Sequence, residues 1–206
     1  MTSMGQTDGS TREDYWRTVG QVGAQRQPLG DTDESAQWPA GSSAYRHVTT
    51  PHSGIIATDG LSDAAGDSLG LEVYVEGREL VQDPDGEGRW LVSALEEAAG
   101  ALAAAGAEQV DAALRDHTLL SLEISAGDAP ADWVSEGRLG VLVGVELPGR
   151  PQSIGSDVRV LALTPLRPSE LAVVTGEGPA GRRRVAEAMA GQGWYSYADS
   201  TRPPVA

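Results

Sequence analysis

The stretch "ATDGLSDAAGDSLGLEVYVEG", Ala57 to Gly77, decides how the chain folds, because two readings of its serine demand different structure after it. Gly60-Leu61-Ser62-Asp63-Ala64 falls one residue short of the G-x-S-x-G elbow, which seats a nucleophilic serine between a strand and a full helix. The run "IIAT", Ile55 to Thr58, supplies a strand before Ser62, but a second strand signal opens already at Leu69. There Leu71, Val73 and Val75 alternate with Glu72, Tyr74 and Glu76, the period of a half-buried strand with an acidic outer face. No room is left for the helix, so the stretch reads as strand, turn, strand. Asp59-Gly60 is a strong turn pair: glycine accepts positive φ and aspartate bonds neighbouring amides, while Ser62 and Asp63 cap the chain as it leaves the turn.

Outward from this unit, "HTLLSLEIS" (117–125), "LGVLVGVELPG" (139–149) and "SDVRVLALTPL" (156–166) are further leucine-rich or β-branched runs bounded by Gly, Pro and Asp. "RWLVSALEEAAGALAAAG" (89–106) places Leu91, Leu95, Ala98 and Leu102 on one helical face and stops at Gly106, so it should cover one face of a sheet. Pro168 or Ser169 starts a short helix, and Pro179 to Met189 makes another with Gly191 as its stop. The expected fold is α+β: a mixed, largely antiparallel sheet of about five strands with two or three helices packed on it. Residues 1–44 mix Gly, Ser, Thr, Asp and Gln and read as a polar, flexible tail, with Tyr15, Trp16 and Trp38 as aromatics that clamp it to the domain at 45–206. "ISAGDAPADWVSEGRLG" (124–140) reads as a long loop.

The formal charge of −15 argues against a nucleic-acid partner, because binding to a phosphate backbone gains from clustered cations that release counterions. It steers basic partners in instead. No apolar run approaches the roughly 20 residues that span a bilayer, and no segment combines a basic start, an apolar stretch and a small-residue cleavage site. A soluble, cytoplasmic chain with no membrane partner is therefore expected. With no cysteine, disulfides, thiolate ligands and a cysteine nucleophile are absent together.

Three candidate sites remain to be weighed. A serine hydrolase on Ser62 needs a histidine and an acid after the serine, and only His117 follows, with no glycine-rich oxyanion loop before it. A calcium loop is suggested by "DPDGEG", where Asp83, Asp85 and Glu87 alternate before Gly88, but the twelfth position holds Ala94 where a bidentate glutamate belongs. His47, His52 and His117 have no partner at metal-ligand spacing, so no metal and no cofactor are expected. Arg182 to Arg184 read as the solvated start of a helix.

The order "GIIATDGLSDAAGD", "LGLEVYVEG", a Trp-led helix, "DHTLLSLEI", "LGVLVGVEL" and "LALTPLRPSEL" resembles the suppressor of fused domain, over roughly residues 45 to 195. Its most specific element is the Gly-Leu-Ser-Asp turn, Gly60 to Asp63, followed by Gly70-Leu71-Glu72 in a sheet-forming strand. The resemblance implies a binding module without catalysis; animal members clamp an extended peptide between two domains, and some bacterial single-domain members are proposed as immunity proteins that neutralise toxins. It also places Arg115-Asp116-His117 where the animal protein holds its peptide through an acidic residue of a G-D-H segment, although arginine replaces that glycine. The chain is expected to lack the second half of the animal clamp, so recognition of that peptide is not carried over. Independently of any family, a strand over His117–Ser125 at an open sheet edge would offer unpaired backbone groups to an added strand. Asp116, His117, Leu120 and Glu123 are accordingly the expected contacts for another protein, a toxin or a basic extended segment.

Overall fold

The computed structural model describes residues 9–29, 44–63, 68–81 and 83–206. In chain order these form helix α1 (Gly9–Val19), strands β1 (Gln21–Arg26), β2 (Tyr45–Thr49), β3 (Gly54–Thr58) and β4 (Leu71–Gly77), then helices α2 (Arg89–Ala105) and α3 (Ala107–Asp116). Strand β5 (Leu120–Ser125), a 3-10 turn at Ala131–Trp133, and strands β6 (Arg138–Val143), β7 (Ser153–Ile154) and β8 (Val158–Leu166) follow. Helices α4 (Pro168–Glu177) and α5 (Pro179–Gly191) and strand β9 (Tyr197–Ala198) complete the chain.

The strands make one sheet in the order β1-β2-β3-β4-β8-β6-β5, with β7 pairing β8 and β9 pairing β4. Pairings are antiparallel except for β4 with β8 and β4 with β9, so the class is the expected mixed, largely antiparallel α+β. Among the described residues the sheet has nine strands, more than the expected five, because β7 and β9 are two-residue strands and β1 is polar, and none of these carries a periodic apolar signal. Helix α3 is a further element beyond the expected ones, with Val110 buried and Leu114 packed against the α2 core.

One face of the sheet is covered continuously. Leu71, Val73 and Val75 of β4, Val141 and Val143 of β6 and Leu163 of β8 pack with Leu91, Leu95, Ala98 and Leu102 of α2, the helical face that the 3.6-residue period marks. Gly106, at φ 82, ends that helix and turns the chain into α3. The opposite face is covered in two separate patches. Tyr15 and Trp16 of α1 pack on Val48, Ile55, Ala57, Tyr74, Val160 and Ala162, whereas Val174 of α4 and Val185 and Met189 of α5 pack on Leu142 and Leu166.

Two expectations need correction. Residues 9–26, inside the segment expected as a tail, form a helix and a strand: β1 pairs antiparallel with β2, and Trp16 is 1% exposed. Tyr15 and Trp16, expected to clamp it, do anchor it: Tyr15 meets Trp16 edge-to-face and Trp16 meets Tyr74 the same way; Trp38 lies outside the described residues. Strand β4 is not half-buried with an acidic outer face. All of Leu71–Gly77 is buried, Glu72 and Glu76 included, because α1 and the segments around β7 cover the side that alternation alone assigned to water.

Candidate functional site

The turn between β3 and β4 closes around the carboxylate of Glu72, which is 0% exposed. Gly60 takes φ 135, a value reserved for glycine, and this bends the chain so that successive amides point inward. The N–H of Gly60 and of Ser62 each donate to Glu72 at 3.1 Å and that of Leu61 at 3.3 Å. The Ser62 hydroxyl adds a bond of 2.6 Å, and the Thr58 hydroxyl another. Such a ring of donors is how a buried carboxylate is satisfied. Burial pushes the Glu72 carboxyl upward, against the opposing pull of the Ser62 and Thr58 hydroxyls, Arg12 and the Ser62 amide.

Around this nest lies a buried ion network. Arg12 of α1, 4% exposed, reaches Asp59 at 2.8 Å, Asp63 at 2.5 Å and Glu72 at 3.7 Å. Arg46 of β2 also grips Asp59, at 2.6 Å, and reaches Glu13 at 3.2 Å; Gln25 of β1 donates to Asp59 at 3.1 Å. Asp59 thus ties α1, β1 and β2 to the turn. The charge of Arg12 is held firmly: desolvation works against it, but the bonds to Asp63 and Asp59 and the field of Glu72 prevail and raise its pKa.

Asp59, Gly60, Leu61, Ser62 and Asp63 therefore stand together as a turn, with Leu61 in the core and Ser62 only 6% exposed. The hydroxyl of Ser62 is engaged by an acceptor that is itself buried. His47 directs its Nε2 to the carbonyl of Leu80 at 2.9 Å, and His52 and His117 are exposed. At the calcium-like segment Asp83 accepts the amide of Gly86 at 2.8 Å and Asp85 pairs with Arg26. Among the described residues no group of three His, Asp or Glu is arranged to hold a metal ion, and no helix is long and apolar enough to cross a membrane.

At the far end of the sheet, β5 pairs with β6 and ends the strand order. Ser125 opposite Arg138 and Leu120 opposite Val143 fix its register. The four expected contact residues divide. Asp116 ends α3, His117 is its cap residue in extended conformation, and both are exposed. Glu123 is exposed on β5, whereas Leu120 is half-buried and packs on the α2 core with Leu122 and Ile124. Leu120 holds the strand rather than presenting a contact. The other face of β5 meets α5, where Arg182 donates to the Ser121 hydroxyl at 3.5 Å, so the edge is flanked by acidic groups near Asp116 and Glu123 and by arginine on the α5 side.

Glu72, Arg12 and Arg46 escaped sequence reading as members of the turn cluster. The signal for Glu72 was a charge between the apolar residues of a strand; Arg12 lies 47 residues from Asp59, beyond any local pattern. No protein-family model, curated protein or solved structure matches the chain.

Proposed function

We propose that the chain is a non-catalytic, protein-binding module of the suppressor-of-fused type, acting through the free side of β5. The observation that carries this reading is the place of β5: it has one strand neighbour, β6, and closes the order of a sheet whose other strands on the main path, save the opposite end, have two. An extended segment adding to β5 gains backbone hydrogen bonds along the edge by displacing the Arg138 guanidinium from the Glu123 carbonyl, and Asp116 and Glu123 favour basic residues within it. Two further observations support a role without catalysis: Ser62 is nearly buried, and its hydroxyl is bonded to Glu72. The family resemblance extends the reading to a toxin as the partner that is neutralised, with the cytoplasm as the place of encounter.

The test is co-purification of the full chain from lysate of its source, against an Asp116→Arg/Glu123→Arg variant, followed by amide hydrogen exchange on the recovered complex. One stoichiometric partner, lost in the variant and protecting amides 120–125, is the expected result. Retention of the partner by the variant with no protection on β5 overturns the edge reading. Ester hydrolysis by the purified chain that disappears in Ser62→Ala would overturn the non-catalytic one.

A further inference from the structure

The two helical patches on the second sheet face leave a gap between them, crossed by the connection from β6 to β7. That connection is pinned to the sheet by Arg150, which donates to the buried Glu76 and lies over the Tyr74 ring at 5.7 Å; the Tyr15 hydroxyl adds a bond of 2.6 Å to the carbonyl of Pro151. Between this strap and the end of α5 lies a pocket of about 480 Å³, within the size range of small-ligand sites. Its walls are Leu119, Val145, Leu147, Pro148, Ala190 and Tyr195, and Glu146 from the strap and Glu187 from α5 also line it.

Three features point to one kind of ligand. The walls are largely apolar. Glu146 and Glu187 are exposed carboxylates, and neither forms an ion pair or hydrogen bond among the described residues; Arg150, which also borders the pocket, is committed to Glu76. Tyr195 stands at φ 50, a conformation disfavoured for a bulky side chain. It is held there by the chain reversal after α5, in which the N–H of Trp194 donates to the Met189 carbonyl at 2.9 Å. Disfavoured backbone of this sort persists where the surroundings over-determine it, commonly at ligand sites. Apolar walls, an aromatic ring and unmatched carboxylates together match an organic cation: the stem gains by burial, the charge by the carboxylates and by the tyrosine ring.

We propose that this pocket binds an ammonium or guanidinium group carried on an apolar body, with Glu146 and Glu187 receiving the charge and Leu119, Val145 and Tyr195 receiving the stem. The site is separate from the turn cluster and does not rest on the reading of β5. The same chemistry arrives either as a free amine or as a basic side chain of a peptide, and titration calorimetry on the full chain distinguishes them.

The probes are phenethylammonium, its uncharged analogue 2-phenylethanol, and the peptide acetyl-Leu-Arg-Leu-amide. Saturable binding of the amine, about tenfold tighter than the alcohol and lost in Glu146→Gln/Glu187→Gln, is the expected result for a free ligand. Binding of the peptide alone, with the same dependence on the two glutamates, assigns the site to a side chain. Because both glutamates are exposed, the double variant should keep the parent melting temperature, and Ala190→Trp provides a second block by filling the pocket. Equal binding of amine and alcohol, amine binding unchanged in both variants, or no saturation by any probe at millimolar concentration overturns the proposal.

Discussion

The β3–β4 turn and the β5 edge of the sheet carry carboxylates in opposite circumstances. At the turn, Asp59 and Glu72 are enclosed by Arg12, Arg46, two hydroxyls and three backbone amides, and the partly exposed Asp63 is paired with Arg12. Beyond β6, Asp116 and Glu123 face water. Both groups look alike in the sequence, as acidic residues next to apolar runs. What separates them is desolvation. A carboxylate removed from water needs every lone pair answered, so the first group recruits partners from four elements and becomes part of the fold. The second needs nothing from the chain and stays available to another molecule.

Substitutions test that contrast most severely at its buried centre. Glu72→Ala leaves the amides of Gly60, Leu61 and Ser62 without their acceptor and is expected to cost about 3–5 kcal/mol in urea unfolding. A loss below about 1 kcal/mol would show that the nest is dispensable. Arg12→Met is expected to cost less, about 2 kcal/mol, because Asp59 keeps Arg46 and Asp63 is partly exposed; the same variant should raise hydrogen exchange in β1, since Arg12 ties the N-terminal segment to the turn. For Gly60→Val, forcing a β-branched residue to φ 135 is expected to cost about 1–3 kcal/mol, and an unchanged midpoint would sink the positive-φ turn.

Titration sharpens the same comparison with a smaller effect. Burial raises the Glu72 carboxyl in the folded state, so its contribution is full below the unfolded value of about 4.3 and is lost as pH rises through the folded value. The stability of the parent relative to Glu72→Gln should therefore fall from pH 4 toward neutrality; a difference that is flat or rises with pH contradicts the direction. At the exposed end, Asp116→Arg/Glu123→Arg should move the unfolding midpoint by no more than about 0.5 kcal/mol, as expected for solvated positions. A large loss there would mean that these carboxylates belong to the fold after all.

Much of the architecture was legible in local pattern. The apolar face of α2 and its stop at Gly106, the proline starts of α4 and α5, and the strands β3, β5, β6 and β8 follow from periodicity and from residues with special backbone preferences. The turn at Asp59–Asp63 was legible for the same reason. Its purpose was not, because Glu72 reads as a surface residue until α1 is placed over β4. Likewise the N-terminal segment reads as a tail: α1 is polar along most of its length, and the two aromatics and Arg12 acquire meaning only against Tyr74, Asp59 and Asp63.

The sequence by itself determined the α+β class, the main helices and the identity of the turn, because these depend on contacts and dihedral preferences within a few residues. Only the tertiary structure decided which carboxylates are buried and which are free, that β5 ends the sheet, and that Leu120 faces the core. Burial and strand order depend on what packs against a residue from far along the chain, and no short-range pattern of residue types encodes that.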